Sequence, residues 1–74
     1  MERTTEERVR FLRLFIESYE FFVESEDYLG RRIKTMHDGV EMDVRDRDLL
    51  LIRSEAQALN DAYALEWLDK RNNK

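Results

Sequence analysis

The 74-residue sequence predicts an all-α fold, a long antiparallel helical hairpin that dimerises into a four-helix bundle. The first observation behind this prediction is a stripe of charged residues that recur every three or four positions, the spacing of one helix face. Its members are Arg10, Arg13, Glu17, Glu20, Glu24, Asp27, Arg31 and Lys34. The second is an apolar stripe with the same spacing along the same segment.

Helix 1 is predicted over residues 5–36. Thr4 and Glu7 match a capping box, in which each side chain accepts a hydrogen bond from the free backbone N–H of the other residue. Apolar residues then follow at helical spacing: Leu12, Phe15, Tyr19, Phe22, Leu29, Ile33 and Met36, with Ile16 and Val23 widening the stripe. Gly30 could end the helix as a C-cap, but both stripes keep their phase through it, so we expect the helix to continue.

The connection is predicted over residues 37–45, because it begins with His37-Asp38-Gly39 and Asp-Gly is a turn dipeptide. Residues 40–44 alternate apolar and polar, which permits a short extended segment, although a loop explains them equally well. Helix 2 is predicted over residues 46–71, with an aspartate near its start as N-cap. Its core stripe is Leu49, Ile52, Ala56, Leu59, Tyr63 and Trp67. Two long helices joined by a short connection make an antiparallel hairpin, a single domain over residues 1–74.

Length and composition limit the possible functions. A chain below about 80 residues usually needs a disulfide, a metal or oligomerisation to stabilise its core. There is no cysteine and His37 is the only histidine, which leaves oligomerisation and predicts no cofactor and no metal site. The net charge of −4 disfavours direct nucleic-acid binding. No apolar run is long enough for a membrane span, so we expect no membrane partner and a cytoplasmic location.

The apolar residues outnumber those that a two-helix hairpin can bury. Helix 1 has a second apolar line beside the first, and helix 2 has apolar residues on its flanks. A helix that is apolar around most of its circumference must be covered on more than one side. We therefore predict a homodimer whose interface consists of Phe11, Leu14, Phe21, Tyr28, Leu51 and Leu65.

The acidic residues are clustered. Folding the predicted hairpin about residue 40 brings eight of them together around a single base, Arg53. We define the acidic band as the members expected to bind a partner: Glu17, Glu20, Glu24, Asp27, Glu55 and Asp61. Such a surface suits a basic or nucleic-acid-binding protein as target, and could mimic a phosphate backbone. The simpler alternative is a solvated helix face that keeps a small protein soluble.

Catalytic patterns are weak in this sequence. His37 beside Asp38 resembles part of a catalytic dyad, but no serine or cysteine nucleophile accompanies it in a pattern. Glu26 is the only acid within the apolar stripe of helix 1, and we expect it to pair with an arginine. The sequence therefore predicts no enzymatic activity and no catalytic residue.

The stretch from Ser54 to Asn60 on predicted helix 2 reads Ser-Glu-Ala-Gln-Ala-Leu-Asn. With this stretch on its second helix, the short acidic hairpin resembles small bacterial and phage regulators, including the hairpin aspartyl-phosphate phosphatases of sporulating bacteria. Those carry a Ser-Gln-Glu-Leu-Asp signature that this stretch lacks, so no phosphatase residue is carried over.

The sequence thus predicts a small regulatory or inhibitory protein that binds a partner protein through the acidic band. Two alternatives remain open. The chain could be an adaptor that binds its partner through an exposed aromatic face, or a carboxylate-based hairpin phosphatase.

Overall fold

The structure, a computed structural model, describes residues 3–24 and 33–72. Its elements are α1 (Thr5–Phe22), β1 (Lys34–His37), β2 (Val40–Asp43), α2 (Val44–Leu59) and α3 (Ala62–Asn72). The predictions of an all-α helical hairpin, and of a four-helix bundle formed from two hairpins, are therefore wrong. The fold is mixed, with three helices and a two-stranded antiparallel sheet in the described part of the chain.

Helix α1 begins where the sequence predicts and ends much earlier. The capping box is confirmed: the Glu7 N–H donates to Thr4 Oγ1, and the Thr4 N–H donates to Glu7 Oε1, both at 3.2 Å. The last turn closes when the N–H groups of Val23 and Glu24 both donate to the Tyr19 carbonyl, at 2.8 and 3.1 Å. The predicted end at residue 36 is wrong, and Gly30, where we weighed an earlier end, lies outside the described residues.

Strands β1 and β2 form a hairpin around a two-residue turn. Asp38 and Gly39 both have positive φ, 51° and 79°, the conformation of a type I′ turn whose twist matches antiparallel strands. The register pairs His37 with Val40 and Lys34 with Asp43, and the Lys34 and Asp43 side chains form an ion pair of 2.8 Å. The predicted turn is present, and of the two alternatives for the residues after it, the extended segment is the one observed. The segment before the turn, predicted as helix, is a strand because it pairs with residues 40–43.

The predicted second helix is two helices, α2 and α3, separated by a reversal at Asn60 and Asp61. Asn60 adopts the left-handed conformation, with φ 52° and ψ 46°, which asparagine tolerates better than most residues. The Asp61 N–H then donates to the Ala56 carbonyl at 2.9 Å, which closes the end of α2. Asp61 also caps α3, because its Oδ1 accepts from the Ala64 N–H at 3.4 Å.

Helices α1 and α2 are antiparallel. Near the start of α1, Arg8 pairs with Glu55, which lies in the last third of α2. At the other end of α1, the Val23 carbonyl accepts from Arg45, at the start of α2, at 3.4 Å. The β-hairpin lies between these helices in sequence and packs against α2.

Helix α3 runs parallel to α1, because the chain reverses between α2 and α3. Arg13 bonds Asp61 at the start of α3, and one turn and a half later the Tyr19 ring meets the Trp67 ring edge-on, with centroids 5.5 Å apart. The three helices therefore pack in up-down-up order. None of the helices in the described ranges has a stretch long and apolar enough to cross a membrane.

All three helices contribute to one apolar core. Its buried residues are Leu12, Ile16, Tyr19, Val23, Ile52, Ala56, Ala64, Trp67 and Leu68. Several residues that the sequence placed in the core are exposed instead: Ile33 by 44% and Met36 by 63% from helix 1, and Tyr63 by 54% from helix 2. Two more from helix 1 are exposed on α1 itself, Phe15 by 39% and Phe22 by 59%. Their neighbours Ile16 and Val23 occupy the core in their place, with exposures of 1% and 7%.

Alanine substitutions in α1 should distinguish its buried side from its exposed side by their effect on the free energy of unfolding. Ile16→Ala removes a fully buried side chain and should lower the free energy of unfolding by about 2–5 kcal/mol. Phe22→Ala removes a larger but mostly exposed side chain, and should cost about 1 kcal/mol or less if the protein is monomeric under the assay conditions. Urea unfolding of dilute protein followed by far-UV circular dichroism measures both. Equal losses would contradict this assignment of the core.

Candidate functional site

The most prominent surface feature is a set of large apolar side chains exposed on α1 and the adjoining side of α2. We call this set the aromatic face. Its members and their exposed fractions are Phe11 (49%), Leu14 (54%), Phe15 (39%), Phe21 (71%), Phe22 (59%) and, on α2, Leu51 (41%). Helix α1 is therefore apolar on two sides.

The two sides of α1 are adjacent lines with identical spacing. The exposed line consists of Phe11, Phe15, Ser18 and Phe22, and each of these directly precedes a buried core residue. Successive helical residues are separated by about 100° around the axis. The exposed line therefore lies about a quarter turn from the core line, and Leu14 and Phe21 widen it further.

A groove between α1 and α2 runs along part of the aromatic face. It has a volume of about 320 Å³, and its apolar walls are Phe11 and Phe15 on α1 and Leu51 on α2. Ser54, a small residue, leaves space on the α2 side. Arg8 and Glu55 also line the groove and are joined by two hydrogen bonds of 3.1 and 2.6 Å.

The aromatic face is large for a chain of this size. With about 200 Å² for a whole aromatic side chain, the exposed parts of its four phenylalanines amount to roughly 400 Å². The largest apolar patch on a typical monomer is about 300–600 Å² and is often functional. The face therefore has the dimensions of a binding surface.

Arginines of the same chain form ion pairs with members of the acidic band. Of its members in the described part of the chain, Glu17 and Glu20 are exposed, and Glu20 lies 3.5 Å from Arg71. Glu24, Glu55 and Asp61 each form an ion pair with an arginine. Asp27 lies outside the described residues. Arginines of the same chain therefore contact four of the five described members of the acidic band.

The strongest of these ion pairs joins Asp61 to Arg13. The guanidinium donates two hydrogen bonds to the carboxylate, one of them 2.9 Å long, and only 6% of the Asp61 side chain is exposed. The Arg13 hydrogen bonds hold the pKa of Asp61 below its ordinary value of 3.8, against the opposing effect of burial. The same contact raises the pKa of Arg13.

The pair between Arg71 and Glu24 joins the other end of α3 to α1. Arg71 donates to Glu24 at 3.0 and 2.7 Å and approaches Glu20 at 3.5 Å. Its guanidinium also stacks on the Trp67 ring, 3.5 Å from the ring centroid. These pairs form because α3 runs parallel to α1, a direction that the predicted hairpin does not contain.

The residues considered for catalysis, His37 with Asp38 and Glu26, do not form a catalytic site in the described part of the chain. His37 Nε2 lies 3.5 Å from Asp38 Oδ2 in the turn of the β-hairpin, where the Asp38 side chain is 90% exposed. Glu26 lies outside the described residues. Within the described ranges, no three histidine, cysteine, aspartate or glutamate residues are grouped so that they could hold a metal ion.

Most of the predicted dimer interface coincides with the aromatic face. Phe11, Leu14, Phe21 and Leu51 are exposed on it, whereas Leu65 is half-buried against the core. Tyr28 lies outside the described residues. Phe15 and Phe22 belong to the face although the sequence assigned them to the core. No signal in the sequence separates them from the core, because the neighbouring Ile16 and Val23 belong to a line of the same spacing.

No family model, curated protein or solved structure compared with the chain matches it. The function of the protein is therefore inferred from the geometry of the described residues alone.

Substitutions at Asp61 should distinguish its role as the ion-pair partner of Arg13 from its role as the N-cap of α3. Asp61→Asn keeps an effective N-cap for α3 but removes the charge that binds Arg13, and should cost about 1–3 kcal/mol at neutral pH. Asp61→Ala removes the cap as well, and should cost about 1 kcal/mol more. Urea unfolding of the three proteins measures these differences. Equal stability of the two variants would exclude the capping role.

The cost of Asp61→Asn should depend on pH. Because the pKa of Asp61 is lowered by folding, its charge stabilises the folded state fully above the ordinary aspartate pKa of 3.8. That advantage should disappear as the pH falls through 3.8 and then through the lower pKa of the folded state. Unfolding curves of both proteins between neutral and acid pH measure it. A difference that stays constant down to the acid limit would contradict the ion-pair assignment.

Proposed function

We propose that the protein is a small non-enzymatic regulator or adaptor that binds a protein partner through the aromatic face. The observation that carries this proposal is the double apolar character of α1, which buries one line of residues in its own core and exposes a second line of phenylalanines. Covering such a surface with another protein chain removes apolar area from water, the main favourable term in association.

The composition of the aromatic face suits this role. Aromatic residues are enriched at the centres of protein interfaces, where a few side chains in well-packed pockets supply most of the binding energy. Phe11 and Phe15 already stand beside a groove, and Arg3 stacks on Phe11 with its guanidinium 4.1 Å from the ring centroid. An apolar centre with charged residues around it is the usual arrangement of a specific interface.

The contacts favour the aromatic face over the acidic band as the binding surface. Glu24, Glu55 and Asp61 have their carboxylates bonded to arginines of the same chain, so binding a basic partner through them would require those bonds to break. Glu17 and Glu20 remain exposed and would lie at the border of a partner seated on the aromatic face.

Photo-cross-linking tests the proposal directly. A benzoylphenylalanine placed at Phe21 should form covalent adducts with a protein chain in cells, because Phe21 is the most exposed member of the aromatic face. The matched control is the same group at Glu66, an exposed position on α3, which should form none. Mass spectrometry of the adducts identifies the chain bound. Adducts at Glu66 equal to those at Phe21 would refute the proposal.

Charge reversal distinguishes the acidic band from the aromatic face. The double variant Glu17→Lys, Glu20→Lys should keep the Phe21 adducts, and raising the salt concentration should change them little, because apolar contacts are not screened. Phe11→Asp should abolish the adducts, because it puts a charge at the edge of the groove. The opposite pattern, loss of adducts on charge reversal and in high salt, would establish the acidic band as the binding surface.

A further inference from the structure

We infer that the occupant of the aromatic face is a second copy of this chain, bound with its α1 antiparallel to the first across a two-fold axis near Glu17. This inference names the partner and rests on the proposed function. It is argued from three features of α1: the order of large and small residues on its exposed line, the distribution of charge along the helix, and the area available.

The exposed line of α1 is complementary to itself in the antiparallel direction. Phe11, Phe15, Ser18 and Phe22 are spaced by four, three and four residues, a pattern that is unchanged when it is reversed. In one antiparallel register Phe11 of each copy therefore faces Phe22 of the other, and Phe15 faces Ser18. The large ring of Phe15 then enters the space above the small Ser18, the way in which helix side chains interdigitate.

A parallel arrangement has none of this complementarity. A parallel pair of α1 helices in register would place Phe15 opposite Phe15 and Ser18 opposite Ser18. The two phenylalanines would crowd each other, and a gap would remain between the two serines. Cavities and overpacking both destabilise a packed contact. Only the antiparallel register matches large residues to small ones at the centre of the line.

The charges along α1 favour the same direction. The half of the described segment before Leu14 contains four arginines and two glutamates, whereas the charged residues from Leu14 to Glu24 are all glutamates. Arg8, Arg13 and Glu24 are bonded within the chain. The other charges leave the first half near neutral, with two arginines and two glutamates, and the second half negative, with Glu17 and Glu20. Antiparallel packing places the negative half of each copy beside the near-neutral half of the other. Parallel packing places like charges together, which is unfavourable.

The area is sufficient for a specific dimer. The exposed parts of the four phenylalanines amount to roughly 400 Å² in each copy. With Leu14 and Leu51 added, two copies can bury about 1,000 Å² or more, which reaches the size expected of a specific interface. The groove adds a pocket for an anchor: because Phe22 of the second copy faces Phe11, it arrives beside the groove that Phe11 and Leu51 line.

Cysteine cross-linking tests the direction and register together, and the chain has no native cysteine to interfere. A disulfide needs Cα atoms about 4.4–6.8 Å apart. The variants Phe11→Cys and Phe22→Cys, mixed in equal amounts and mildly oxidised, should give a cross-linked dimer that neither variant gives alone. Phe15→Cys mixed with Ser18→Cys should do the same, and Glu66→Cys is the control that should remain monomeric. Far-UV circular dichroism confirms that each variant is folded.

Two outcomes of the cross-linking would overturn the inference. Linking of Phe11→Cys with itself, as fast as with Phe22→Cys, would indicate a parallel contact. Linking no faster than that of Glu66→Cys in every mixture would exclude this contact between copies. Light scattering of the wild-type protein at tens of micromolar gives an independent result, for which we expect twice the 9.0 kDa of the chain; a mass of 9.0 kDa would also overturn it.

Failure of this inference can be distinguished from failure of the proposed function. If the protein is monomeric but a photo-cross-linker at Phe21 captures a different protein, the aromatic face is a binding surface and the second copy is not its occupant. If Phe21 captures neither a different protein nor this chain, both proposals fail.

Discussion

The chain reverses direction at Asn60 and Asp61, and the position of α3 depends on the interactions made there. Asn60 ends α2 in a left-handed conformation, and the Asp61 carboxylate caps α3 while accepting two hydrogen bonds from Arg13 on α1. The Asp61 carboxylate thus contacts both α1 and α3, two helices that are not consecutive in the sequence. If α2 continued through residue 60, Trp67 would extend away from Tyr19 and the core would lose its third wall.

The three-helix core explains why the aromatic face is exposed. Helices α2 and α3 both pack against the side of α1 where Ile16 and Tyr19 lie, and so bury the core line while leaving the aromatic face partly exposed. Phe21 and Leu14 point away from both helices and are more than half exposed. The surface is therefore a consequence of where α3 packs, and its apolar character comes from a helix that has more large apolar residues than one core line can hold.

Local signals in the sequence predicted local structure well. The Thr4–Glu7 capping box and the Asp38-Gly39 turn depend on neighbouring residues, and both are present. Helical periodicity predicted structure less reliably. Ile33 and Met36 continue the helical spacing of helix 1, yet Met36 lies in β1 and Ile33 directly precedes that strand. Pairing with β2 outweighs the periodic pattern. Asn60 was missed for a similar reason, since the apolar spacing of α2 and α3 runs through it unchanged.

The candidate site was predictable in part. Phe11, Leu14, Phe21 and Leu51 could be recognised as surplus to a core. Phe15 and Phe22 could not, because two adjacent lines of equal spacing fit the core equally well and only the packing of α2 and α3 decides between them. The ion pairs that Asp61 and Glu24 form depend on the direction of α3, which no pattern within α1 records.

The two equivalent lines on α1 also raise the question of what fixes the rotation of this helix about its own axis. A turn of about 100° would bring the exposed line to the position of the buried one. Polar contacts prevent that exchange, because Arg8 reaches Glu55 on α2 and Arg13 reaches Asp61 on α3 from opposite sides of the core line. The arginines thus act together with the core packing of Ile16 and Tyr19 to hold α1 in the orientation that leaves these phenylalanines facing outward.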